Sequence, residues 1–218
     1  MKIGVLGTGS MARVLGAAWV RAGHEVNVAG RSPDRARALA DRLGGGAGSV
    51  APEEISEGRD AVFLAVPWEA VEDVLARAGA GAGSMRGRVV VDPVNAVDHG
   101  VGVVQVDGGG SAAQRIAELA PGAHVVKAFH LFPAALWERP SPSAPPVVAM
   151  CGDDPGALDT AGVLVRDAGG VPAVLGPLSR SRQLEEVAGF AAALHLSGAD
   201  PAAALPSTSG AAGKAGTS

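Results

Sequence analysis

A doubly wound α/β fold on a parallel sheet is expected from three features of this 218-residue chain. Short, continuous apolar runs alternate with segments of helical periodicity, the spacing that gives a parallel sheet with right-handed crossovers. A glycine-rich turn separates the first run from the first helix, within a strand–helix–strand unit of about thirty residues. Helix starts and stops carry their own markers, such as Pro33 inside one start and Gly23 past one end. Together these point to a Rossmann-type sheet covered on both faces.

The elements follow in order. Residues 2–6 (KIGVL) read as a buried strand, and residues 10–22 carry Met11, Val14, Leu15, Ala18 and Trp19 at helical spacing before Gly23 ends the helix. Residues 25–29 give a second strand. Residues 33–43 give a second helix, with Pro33 in its first turn and Asp34 near the positive end of its dipole. Strand 60–66, helix 68–78, strand 88–92, helix 111–119 and strand 123–128 continue the alternation, so residues 1–136 are expected to form one nucleotide-binding domain. The segment WERPSPSAPP (137–146) holds four prolines in ten residues and reads as an exposed connector. Residues 147–198 then form a smaller α/β unit: strand 147–151, helix 155–168, strand 171–175 and helix 178–197. Residues 199–218 have no periodic apolar face and are expected to be disordered.

Composition narrows the function. The net charge of −4, with no lysine or arginine block, gives no track for a nucleic-acid backbone. The single cysteine, Cys151, excludes an intrachain disulfide framework and a cysteine zinc cluster, and reads as a small buried apolar residue; no metal site is expected. The first residues run directly into strand chemistry, without the pattern of a signal peptide or membrane span, so a cytoplasmic location with no membrane partner is expected.

In GTGSMA, Gly7 permits the tight turn out of the first strand, Gly9 lets a phosphate approach the backbone, and Ala12 lets helix and strand pack closely. The backbone N–H groups of Thr8, Gly9, Ser10 and Met11 would face a pyrophosphate at the positive end of the helix. Which dinucleotide binds is decided after the second strand. An NAD site places an acid there; this chain has Gly30, then Arg31, Ser32 and, one turn on, Arg35. Arginines suit a 2′-phosphate, so NADP(H) is the expected cofactor. AVPWE (65–69) ends a strand at the carboxyl edge, where Ala65, Val66 and Pro67 are expected to line the nicotinamide-ribose end. In DPVNA (92–96), Asn95 is either a nicotinamide contact or a turn residue.

A carbonyl reductase needs a proton donor, yet tyrosine is absent. His130 alone among the histidines stands at a strand's carboxyl edge, as a catalytic acid or as a pocket wall. With proton transfer so thinly provided, hydride exchange with a second redox cofactor becomes attractive, because positioning two rings supplies most of that catalysis.

The segments GVLGTGSMARVL, GHEVNVAGRS, VPWEAVED, VVKAFHLFPAALW, CGDDPGA and LGPLSRSRQLEEVAGF, in that order over residues 1–198, resemble the NADPH-dependent reductases of the deazaflavin coenzyme F420. The resemblance implies a small-molecule redox co-substrate, coenzyme F420 or a related flavin, receiving hydride across a cleft completed by the C-terminal unit. It implies Thr8, Ser10, Arg31, Ser32 and Arg35 as NADP contacts. On the deazaflavin side it implies His130, Leu131 and Pro133, with Leu178, Ser179 and Ser181. Two departures stand out: glycine at position 30, where the family commonly has serine, and the alanine-rich ending. Reduction of a small C=N or C=O substrate, and a non-catalytic NADP-binding module, are the competing expectations. Leu184, Val187, Phe190 and Leu194 on the last helix suit either a homodimer contact or the monomer's own core.

Overall fold

The computed structural model describes residues 1–97, 106 and 109–204. Its eight described strands form one sheet in the order β3-β2-β1-β4-β5-β6-β7-β8. These are β1 Lys2–Leu6, β2 Glu25–Ala29, β3 Gly48–Ser49, β4 Ala61–Leu64, β5 Val89–Asp92, β6 His124–Lys127, β7 Val147–Gly152 and β8 Val171–Val174. The first six are parallel; β7 joins β6 antiparallel and pairs parallel with β8. The expected doubly wound sheet is present, and the strand order reverses direction at β1, so the crevice for a ligand opens at its carboxyl end. The C-terminal strands extend this same sheet.

Seven α-helices are described: α1 Ser10–Arg21, α2 Pro33–Leu43, α3 Val71–Arg77, α4 Ala112–Leu119, α5 Ala134–Glu138, α6 Pro155–Asp167 and α7 Ser181–Leu196. One face of the sheet packs on α1, α2 and α6, the other on α3 and α4. The apolar stripe of α1 places Val14, Leu15, Ala18 and Trp19 in the interior, and the Trp19 indole N–H donates to the Leu164 carbonyl of α6 at 3.0 Å. That bond ties the first crossover to the C-terminal segment. Around it Trp19, Phe63, Phe129 and Trp137 meet edge to face, with centroids 5.1 to 6.1 Å apart.

Three local expectations are corrected. Trp137, placed by the proline count in an exposed connector, lies within α5 and is fully buried among Phe129 and Phe132; residues 139–146 alone hold no helix or strand. The last helix opens as a 3₁₀ turn, Leu178–Arg180, before α7 begins. In the tail, Pro201–Ala204 form a 3₁₀ turn started by Asp200, whose carboxylate accepts from the Ala202 N–H; residues 205–218 lie outside the described residues.

Candidate functional site

The turn after β1 is built for an anion. Gly7 sits at φ 129°, and a Cβ there would lie 2.1 Å from the Ala65 carbonyl oxygen, so only glycine keeps β1 and β4 at this spacing. Gly9 has the opposite surroundings: its Cβ would meet nothing closer than 4.0 Å, so the protein itself does not require glycine there. The open space lies over the start of α1. That start has no side-chain cap and no acidic residue in its first turn, which leaves its N–H groups and its dipole for a ligand. Thr8 is half-buried, Gly9 and Ser10 are exposed, Met11 is half-buried, and Ala12 is fully buried against the sheet. The residues present therefore fit a dinucleotide pyrophosphate.

At the end of β2, Gly30 is buried and faces Thr8, with a Cβ at position 30 coming 3.3 Å from the threonine methyl. Ser32 caps α2 by accepting from the Arg35 N–H at 3.4 Å, which leaves its own hydroxyl proton to donate. Arg31 and Arg35 are exposed and take part in no ion pair among the described residues. Arg31, Ser32 and Arg35 thus stand together where β2 ends and α2 begins, and the acid of an NAD site is absent there.

Farther along the carboxyl edge, Ala65 and Val66 are half-buried and Pro67 is exposed where β4 leaves the sheet. Asn95 and His130 come together: the Asn95 amide donates to the His130 carbonyl at 2.6 Å. Asn95 Oδ1 and His130 Nδ1 are both buried without a partner among the described residues. The chain reaches this arrangement through Phe129, which holds a left-handed φ of 62°, a costly conformation for an aromatic residue that its packing against Trp19, Phe63 and Trp137 sustains. His130 is 7% exposed, and burial, reinforced by the Lys127 charge, pushes its pKa down to about 3. It is a neutral imidazole at physiological pH, with no proton of an imidazolium to give.

The C-terminal residues divide. Ser179 is exposed, as are Pro133 and, in part, Leu131. Leu178 and Ser181, expected on the cleft wall, face inward. Leu178 is 8% exposed and packs in the core beside α3 and α4. The Ser181 hydroxyl is spent on the Leu178 carbonyl and Ser111 Oγ, both at 2.6 Å, and neither Ser179 nor Ser181 caps the helix start.

Sequence reasoning missed a cluster beneath the site. Lys127, at the end of β6, is fully buried and bonds Asp92 at 3.0 Å, Glu185 of α7 at 2.8 Å, and the Val94 carbonyl. Asp92 also accepts from the Val94 N–H at 2.7 Å, which shapes the loop that presents Asn95. Glu185 accepts from the first N–H groups of α4, Ala112 at 2.9 Å and Ala113 at 3.3 Å. Burial raises the Asp92 pKa, with Lys127 opposing and Glu185 adding to the rise. The cluster fastens α7 to the carboxyl ends of β5 and β6.

Nearby Cys151 is fully buried, and the same desolvation pushes its thiol up to about 12. The folded protein is expected to be inert to a thiol reagent at pH 8 and to react once denatured, as a spectrophotometric thiol titration will read.

Comparison with known proteins follows the same lines. Residues 2–96 match the family described as NADP oxidoreductase, coenzyme F420-dependent. The metalloreductase STEAP3 of Rattus norvegicus is 28% identical over 186 residues, 85% of this chain; the chain spans 36% of that relative's length. Among solved structures, the hypothetical protein SMa0349 of Sinorhizobium meliloti is 27% identical over 83% of this chain and 88% of its own, with a TM-score of 0.73. A protein of Arthrobacter sp. FB24 assigned as an F420 dependent NADP-reductase shares the fold at a TM-score of 0.78 and 24% identity, over 92% of this chain and 96% of its own.

Proposed function

We infer, from the match of residues 2–96 to the family described as NADP oxidoreductase, coenzyme F420-dependent, that this protein exchanges a hydride between NADP(H) and a deazaflavin or related flavin. The observation that carries the cofactor is the uncapped start of α1 under an open Gly9, with Arg31, Ser32 and Arg35 at the adjoining strand end. NADPH, when bound, would supply the hydride that an oxidised deazaflavin accepts, with a solvent proton completing the reduced ring and NADP⁺ left as product. The chain's own work is placement. The α1 N–H groups would hold the pyrophosphate, Arg31, Ser32 and Arg35 would hold the 2′-phosphate, and Asn95 Oδ1, buried without a partner among the described residues, would be the acceptor offered to the nicotinamide carboxamide. His130, Leu131, Pro133 and Ser179 border the acceptor. A neutral, buried His130 suits a hydrogen-bonding wall, and this favours ring-to-ring hydride transfer over reduction of a C=N or C=O group that needs a proton donor.

The test mixes protein, NADPH and oxidised coenzyme F420. The deazaflavin and nicotinamide absorbances are expected to fall together. NADPH binding with no loss of either band would leave only a nucleotide-binding module, and turnover on imines or ketones alone would replace the acceptor.

No described helix is long and apolar enough to cross a membrane, and exchange between two dissolved cofactors suits a cytoplasmic protein. The outer side of α7 leaves Val187 39% and Phe190 52% exposed. We place a homodimer contact there; Phe190→Glu is expected to move the protein from dimer to monomer in size-exclusion chromatography with light scattering.

A further inference from the structure

Asp92 and Lys127 are facing partners in the ladder, at the carboxyl ends of β5 and β6. Asn95 and His130, whose Oδ1 and Nδ1 atoms are buried without a partner among the described residues, each stand three residues farther along the chain from one of the two. One ion pair thus anchors both loops that meet at this edge.

The first of these loops is gripped from both sides. Asp92 Oδ1 accepts from the Val94 N–H at 2.7 Å, Asp92 Oδ2 accepts from Lys127 Nζ at 3.0 Å, and the same ammonium donates to the Val94 carbonyl. Both backbone polar groups of Val94 are therefore fixed, one residue before Asn95. The Asn95 amide N–H donates to the His130 carbonyl at 2.6 Å; a carbonyl can only accept, so Oδ1 is the atom left to a ligand.

Lys127 has nothing left to offer a ligand itself. An ammonium carries three protons, and Asp92, Glu185 and the Val94 carbonyl take all three; the side chain has no exposed surface. Glu185 comes from α7, meets Lys127 at 2.8 Å and accepts from the Ala112 N–H at 2.9 Å, so a third element holds the lysine in place.

We propose, resting on the reading of Asn95 as the nicotinamide contact, that Lys127 and Asp92 are positioning residues: by clamping Val94 they aim Asn95 Oδ1 at the carboxamide. The quality of that contact then depends on an ion pair that touches no ligand, because a hydrogen bond weakens steeply once its angle is lost. Asparagine at position 92 has one acceptor oxygen for two donors, so it releases either Val94 or Lys127. It also leaves one carboxylate facing one cation, a gentler change than the loss of Lys127.

Calorimetry with NADPH and with 2′-phospho-ADP-ribose, which keeps the phosphates and lacks nicotinamide, separates positioning from stability. Asp92→Asn and Lys127→Met are each expected to weaken NADPH binding about fivefold, the loss of one hydrogen bond, and to leave 2′-phospho-ADP-ribose within roughly twofold. Binding of the second nucleotide also shows that a variant is folded, and if Lys127→Met is not, Asp92→Asn decides. On an Asn95→Ala background, Asp92→Asn is expected to cost NADPH no further affinity. Equal weakening of both nucleotides, full NADPH affinity in Asp92→Asn, or losses that add on the Asn95→Ala background would overturn the proposal. A wild type that binds 2′-phospho-ADP-ribose as tightly as NADPH would overturn it too, while leaving the phosphate contacts standing. A wild type that binds neither would overturn the NADP(H) reading and the proposal with it.

Discussion

Lys127→Met is expected to lower the unfolding free energy by about 3–5 kcal/mol, the cost of removing one partner from a buried charge cluster and a large part of a typical domain's 5–15 kcal/mol. Methionine fills the stem of the lysine, so the loss is electrostatic. Asp92 and Glu185 are left in the interior without their cation, the Val94 carbonyl loses a donor, and the tie between α7 and the ends of β5 and β6 goes. The sign with pH follows from protonation. In the wild type, burial raises the Asp92 pKa, so its folded form holds a proton more readily than the unfolded chain does. That contribution to stability is full below the unfolded pKa and is lost as pH rises through the folded one. Without Lys127 the two carboxylates can be relieved only by taking up protons, so the defect is expected to be smallest near pH 5 and to grow toward pH 8. Denaturant unfolding at both values reads this. A pH-independent loss would mean that packing, not charge, is what Lys127 provides.

The parts of this protein that depend on periodicity were legible in its sequence. Met11 to Trp19 mark the face of α1, continuous apolar runs mark the central strands, and the glycine turn lies where β1 meets α1. The parts that depend on long-range partners were not. Lys127 in VVKAF is a charge inside a strand run, and Glu185 stands beside Leu184 on the buried side of α7; these oddities signal burial, but only the fold brings residues 58 positions apart to 2.8 Å. The same holds for Trp137, whose proline-rich neighbourhood argued for exposure while its ring filled the gap beside Phe129. Ser181 could be placed in a site by resemblance because its motif is right, yet its hydroxyl has two partners within the protein. The β3 strand has two residues and no pattern to read.

Replacing Arg31 and Arg35 together by alanine is expected to raise the NADPH Michaelis constant by roughly 10- to 100-fold, about 1.4–2.8 kcal/mol, at the modest end for two charged contacts because both side chains are exposed. Turnover at saturation should hardly change: the 2′-phosphate is remote from nicotinamide C4, and a contact made equally in ground and transition states shows in KM alone. The NADH constant should stay where it is, since NADH lacks the phosphate, and the NADPH effect should shrink as salt screens the wild-type contacts. Arg31→Asp goes one step further, restoring an acceptor for the ribose 2′-hydroxyl beside Gly30 while repelling the phosphate, and is expected to invert the preference toward NADH. Equal losses for both nucleotides would show instead that these arginines support the start of α2, where Ser32 accepts from the Arg35 N–H, and that the 2′-phosphate is held elsewhere along the crevice.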